Sequence, residues 1–247
     1  MTLRVVTYFW HNPEAKHCKN YQYTPEHVRR LYRGVKRNLS VPFTFHVITD
    51  RPHEIYGDDI DVIPIDRWQH VINKHGRCYV KLGIFGWWAR EYFGDNHILT
   101  LDLDLCVVGS LDSLVHKGMA SDFTGWKSTH STRGQTRTYC GALHMHRSGS
   151  VRQIWDAFGL VHKIKADGDE LRGSDQRWIT NILGEDRYPS WNTQDGVYDI
   201  FDVEKEHDLT GNILPSNACI VAVNGLERDV SMPHLHEKYI WLRDNWV

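Results

Sequence analysis

Over its first 115 residues the chain alternates short β-branched and aromatic runs with longer segments of helical spacing. That alternation admits few folds other than helices packed on a largely parallel sheet. LRVVTYFW (3–10), PFTFHVITD (42–50) and IDVIPI (60–65) read as strands. After the first, Thr24 caps a helix opened by Pro25, whose face Val28, Leu31, Tyr32, Val35 and Leu39 follows helical spacing. Tyr79, Leu82, Phe85, Ala89 and Tyr92 predict another helix, ending at Gly94. The second half is less regular. YCGALHMH (139–146) alternates like a strand, and Ser150 with Gln153 predicts a capping box before a helix on Val151, Ile154, Trp155 and Phe158. GSDQRWITNILG (173–184) reads as a short helix capped by Ser174 and stopped by Gly184. A short strand, VAV (221–223), precedes a polar, aromatic tail. With 247 residues and no repeat or linker-like tract, a single α/β domain is expected.

Composition narrows the function classes. A net charge of -2 excludes a globally basic nucleic-acid binder, though not a local basic patch. Cys18, Cys78, Cys106, Cys140 and Cys219 are odd in number and scattered, without a CxxC pair, which points to a reducing compartment. MTLRVVTYFWHN has neither the charge nor the apolar stretch of a signal peptide. No apolar run approaches the roughly 20 residues that span a bilayer. A soluble, cytoplasmic protein is the expectation.

The chemistry concentrates in ILTLDLDLCVVGSLDSLV (98–115), where Asp102 and Asp104 interrupt a run of leucines and valines. If the strand continues through them, both carboxylates lie on one face, roughly 6.5 to 7 Å apart at their α-carbons. Two negative charges on a covered parallel sheet need compensation, because an unpaired buried charge costs several kcal/mol (about 3–5). A hard divalent cation, Mn²⁺ or Mg²⁺, meets that need and leaves coordination positions for a diphosphate. The aspartates also stand at the carboxyl end of the strand, where open α/β sheets bind ligands. Solvation at the strand exit, or pairing with arginines, is the competing reading.

KLGIF (81–85), HILTLDLDLCVVGSLDSL (97–114), YCGALHMH (139–146) and SDQRWI (174–179) together resemble a known family in order and spacing. It is that of the retaining GT-A-fold nucleotide-sugar glycosyltransferases of the glycogenin and bacterial galactosyltransferase kind. The chain is especially similar to small bacterial and phage members carrying LDLDxxVVGSLD. The resemblance covers the chain from about Val5 to its end. It implies a single GT-A domain, a Rossmann-like, mostly parallel sheet flanked by helices, with residues 1–116 as the nucleotide-sugar half and 117–247 as the acceptor half.

By the same resemblance, Asp102 and Asp104 match the DxD motif, with Asp102 touching both metal and ribose. Lys81 matches the basic residue that reaches the donor sugar or phosphate. Thr7, Tyr8 and Trp10 fall where the family places its uracil pocket. Asp175 and Gln176 match the catalytic DQ pair, Gln176 facing the developing oxocarbenium ion in a front-face, retaining mechanism. The chain departs from the pattern near its end. Where relatives carry His-Gly and then Lys-Pro, this sequence reads VNGLERDVSMPHLHEKYIW, with Asn224 at the position of the third metal ligand. His236 is a substitute ligand if the loop folds back, and Arg228 a substitute for the phosphate-binding lysine.

No acidic residue occurs between Asp122 and Asp156, while Lys127, Arg133, Arg137, Arg147 and Arg152 do. Arg29, Arg30, Arg33, Lys36 and Arg37 add basic residues on the first helix. Such a surface suits a phosphate-bearing acceptor, such as nucleic acid with a modified base, a lipid-linked sugar or a polymer glycan. A solvated face balanced by acids elsewhere is the plainer reading. The expected function is therefore sugar transfer from a UDP-sugar to an acceptor hydroxyl. A sugar-phosphate nucleotidyltransferase and a catalytically silent binding protein of the same fold are the alternatives.

Overall fold

The computed structural model describes residues 2–10, 23–57, 59–68, 77–128, 137–159, 175–207, 210–223 and 230–247. Its centre is a seven-stranded sheet in the order β3-β2-β1-β4-β7-β6-β8. The strands are β1 (Leu3–Phe9), β2 (Phe43–Thr49), β3 (Ile60–Pro64), β4 (His97–Leu101), β6 (Phe123–Ser128), β7 (Arg137–Arg147) and β8 (Ser190–Trp191). β3, β2, β1 and β4 run parallel, β7 runs antiparallel to both β4 and β6, and β8 pairs parallel with β6. A second sheet places β10 (Ile220–Ala222) between β5 (Leu105–Val107) and β9 (Val197–Asp199). The chain is thus α/β with a mostly parallel central sheet flanked by helices.

Alternation along β1 explains the layering. Leu3, Val5 and Phe9 face α1 (Pro25–Asn38) and the small sheet. Val6 and Tyr8 face a 3₁₀ segment (Arg77–Phe85), α2 (Trp87–Phe93), α4 (Gln153–Gly159) and α5 (Asp175–Leu183). α1 forms as its sequence predicts: the Thr24 hydroxyl and His27 Nδ1 are 3.0 Å apart in a capping box, and Val28, Leu31, Tyr32 and Val35 are buried. α3 (Asp112–Met119) follows β5, and α6 (Pro233–Lys238) and α7 (Ile240–Asn245) close the chain.

Two local expectations need correction. Residues 79–92 do not form one amphipathic helix. The stretch from Tyr79 to Gly86 is buried throughout, so no solvent face exists to set a single helical stripe. The 3₁₀ segment gives way to α2 at Gly86, whose N–H donates to the Gly83 carbonyl, and Tyr92 is left exposed. Nor does Ser150 cap a helix. Its hydroxyl donates to the Asp122 and Arg147 carbonyls, and α4 starts at Gln153. At the other end of α5, Gly184 stops the helix as expected, with φ +84° and its N–H on the Thr180 carbonyl. Ser174 lies outside the described residues.

Candidate functional site

The strand order reverses direction at β1: β2 and β3 build outward on one side, β4 on the other. The carboxyl ends of β1 and β4 therefore flank the topological switch point, the place where open α/β sheets bind ligands. Asp102 is the first residue beyond β4. Its N–H still reaches the Ala142 carbonyl of β7 at 2.8 Å, but the ladder then ends. The Leu105 N–H donates back to the Asp102 carbonyl at 3.3 Å, closing a turn over Leu103 and Asp104 that hands the chain to the small sheet. The aspartates are thus two positions of a tight turn, not alternate residues of one strand. Leu103 is buried in the core and anchors the turn. The Val223 N–H, just past β10, donates to the Asp104 carbonyl at 2.9 Å and ties the turn to the chain entering residues 224–229.

Among the described residues, one cation serves this turn. Lys81, from the 3₁₀ segment, places Nζ at 3.0 and 2.7 Å from the two carboxylate oxygens of Asp102. The same atom lies 3.2 Å from Asp175 Oδ2 and 3.4 Å from the Gly141 carbonyl. The Lys81 side chain is only 6% exposed. Burial alone would discharge it, but the charges of Asp102 and Asp175 outweigh burial and hold its pKa well above the ordinary lysine value. Asp104 receives less support. Burial, and then the neighbouring Asp102 charge, push its carboxyl up to about 7, while Lys81 and a hydrogen bond from Tyr23 act the other way. Its Oδ1 is buried with no hydrogen-bond partner among the described residues.

Glycine makes the cluster possible. A Cβ on Gly141 would stand 2.1 Å from Asp175 Oδ2, 2.8 Å from its Cγ and 3.2 Å from Gln176 Cγ. Only a residue without a side chain lets the first turn of α5 press onto β7 at the level of Lys81. Sequence reading passes over Gly141, and its one signal is a glycine inside a strand-like run.

The remaining expected residues divide. Tyr8 is buried, and its hydroxyl donates to the Lys81 carbonyl at 3.0 Å. It supports the segment carrying Lys81 and presents no face to a base. Thr7 is also buried, its hydroxyl on the Leu101 carbonyl at 2.7 Å, where it joins β1 to β4 at the switch point. Trp10 is half-buried at the end of β1, edge-on to Tyr8. It alone of the three keeps accessible ring surface. Asp175 is 3% exposed, so its carboxylate faces Lys81 and not solvent, whereas Gln176 beside it is half-buried. His236, on α6, has Nε2 at 2.7 Å from the Val230 carbonyl, a partner within its own segment. Asn224 and Arg228 lie outside the described residues. Among the described residues, no group of three His, Cys, Asp or Glu side chains is arranged to hold a metal ion.

On the proposed acceptor side, Lys127 pairs with Asp186, Arg147 with Asp95 and Arg152 with Asp156. On α1, Arg29, Arg30 and Arg33 share Glu26. Acids distant in sequence thus balance Lys127 and Arg147, and the neighbouring Asp156 balances Arg152. Arg133 lies outside the described residues, and Arg137 opens β7. No described helix is long and apolar enough to cross a membrane. No known family profile and no curated protein matches the sequence.

Proposed function

We propose that the chain is a GT-A-fold, metal-dependent, retaining glycosyltransferase that moves a sugar from a UDP-sugar donor to an acceptor hydroxyl. One observation carries this reading. At the switch point of the sheet, three carboxyl groups, Asp102, Asp104 and Asp175, gather around one ammonium among the described residues, an excess of acid that a divalent cation would compensate. The donor set fits such an ion: carboxylate oxygens suit Mn²⁺ or Mg²⁺, and Asp104 keeps one buried oxygen without a partner among the described residues. Asp102 and Asp104 would hold the ion, with Asn224 following Val223 as the candidate third ligand. When bound, it would act as a Lewis acid on the departing diphosphate.

The chain's own groups have separable parts in this reading. Trp10 offers the stacking surface for the uracil ring. Lys81, fixed through Tyr8 and Asp175, holds positive charge beside the diphosphate. Gln176, at the start of α5, offers a neutral amide dipole to the developing charge on the sugar carbon without forming a stable ester. Asp175, enclosed by Lys81 and Gly141, positions Lys81 and leaves reaction at the sugar to Gln176.

Incubation with UDP-glucose and UDP-galactose, with and without Mn²⁺, tests the reading by the UDP released. Mn²⁺-dependent release, lost in Asp102→Asn, is expected. Release of pyrophosphate from UTP and a sugar phosphate, with none of UDP, would replace it by nucleotidyl transfer.

A further inference from the structure

The contact between Lys81 and Asp102 bears on how the site loads. Nζ touches both oxygens of Asp102, so the ammonium occupies the side of the carboxylate that any cation held by both oxygens must share. The same Nζ has a second anionic neighbour, Asp175, at 3.2 Å, and a neutral one in the Gly141 carbonyl at 3.4 Å. Gly141 admits the Asp175 carboxylate to this position. The lysine therefore has somewhere to remain after leaving Asp102, without its charge being stranded in the core.

We propose that Lys81 is an exchangeable internal counter-ion: it neutralises Asp102 while no metal is bound and yields it to an incoming divalent cation by shifting onto Asp175. This rests on the metal-dependent reading above and adds a regulation of the same site. Lys81 then has two effects of opposite sign. It stabilises the metal-free fold, and it competes with the metal. Asp175 works the other way, drawing the ammonium off Asp102 and easing metal entry.

Mn²⁺ titrations without nucleotide, following free Mn²⁺ by electron paramagnetic resonance, separate this from a purely structural lysine. Lys81→Met is expected to bind Mn²⁺ about tenfold more tightly than wild type, the scale of losing one close like charge. Its metal-free unfolding midpoint is expected to fall, and to rise further with added Mn²⁺ than that of wild type. Asp175→Asn removes a buried charge and keeps Lys81 on Asp102, so its Mn²⁺ affinity is expected to drop about tenfold by the same electrostatic scale. Equal or weaker Mn²⁺ binding in Lys81→Met would overturn the proposal. Should that variant not fold, equal or tighter binding in Asp175→Asn would overturn it alone. Absence of Mn²⁺ binding in all three proteins would remove the metal-dependent reading itself, and the proposal with it.

Discussion

At Gly141, β7 runs beside an ammonium and two carboxylates; at His144 and His146 the same strand runs beneath two imidazoles flanked by Phe85 and Phe123. Both regions bury polar groups against the 3₁₀ segment, which carries Lys81 and Phe85. Their solutions are opposite. Around Gly141, the Lys81 ammonium lies within about 3 Å of the Asp102 and Asp175 carboxylates, which hold the charge on a lysine that burial would otherwise discharge. Three residues on, both ring nitrogens of His144 lack partners among the described residues, and His146 has only weak support from the Ile84 backbone. There, burial removes the charge. It holds His144 well below the ordinary histidine value and pushes His146 down to about 3. The sheet keeps charge at the switch point, where a ligand can use it, and not in its interior.

Acid should act most strongly on the histidine region. In the unfolded chain both histidines titrate near 6.5; in the fold they do so far lower. A group whose folded pKa is depressed gives stability that is complete above the unfolded value and lost as pH falls toward the folded one. The window here runs from about pH 6.5 down to about pH 3. By pH 4.5 protonating His146 should cost about 3 kcal/mol, and His144 acts in the same direction. The Asp104 carboxyl, pushed up to about 7, is relieved as pH falls through the same window. The histidine share is therefore read from urea unfolding at pH 7 and pH 4.5 as the difference between wild type and His144→Phe, which should lose less stability. The same pH dependence in wild type and His144→Phe would show that His144 is not buried as a neutral group.

The charged region should be the more sensitive to losing one partner. Lys81→Met leaves Asp102 and Asp175 without their cation and is expected to destabilise the metal-free protein by about 3–5 kcal/mol. A loss under about 1 kcal/mol, the scale of a surface pair, would mean that the carboxylates are solvated. Smaller again is Gly141→Ala, whose methyl group must displace the Asp175 carboxylate. Overpacking of this kind costs about 1–3 kcal/mol. The variant should also change the chemical shifts of the first turn of α5 more than those of β6, which two-dimensional NMR would resolve.

Much of the frame was legible because apolar spacing decides it locally. β1 to β3 and α1 follow from their burial patterns, and Gly94 and Gly184 mark helix ends through their positive φ. The Asp102–Asp104 turn was not legible as a turn, because Leu-Asp-Leu-Asp-Leu imitates strand alternation. Only the non-local pairing of β5 with β10 shows that the chain has left the main sheet. Strand parity alone could have placed Tyr8 inside, beside Val6, leaving Trp10 at the exposed end. The pairing of Lys81 with Asp175 carries no local signal, since it depends on α5 packing across β7 at a glycine. The basic run before β7 misled for a related reason: Asp186 and Asp95, its partners, are distant in sequence.

The most direct test of a metal-dependent nucleotide site at this turn is calorimetric UDP binding, with and without Mn²⁺, to wild type and to Asp104→Asn. Wild type is expected to bind UDP only when Mn²⁺ is present. Asp104→Asn should lose at least about tenfold in affinity, one close charge on the ion, while unfolding no more easily than wild type because a buried carboxyl has been replaced by a neutral amide. UDP binding indifferent to Mn²⁺, or unchanged by the substitution, would contradict it.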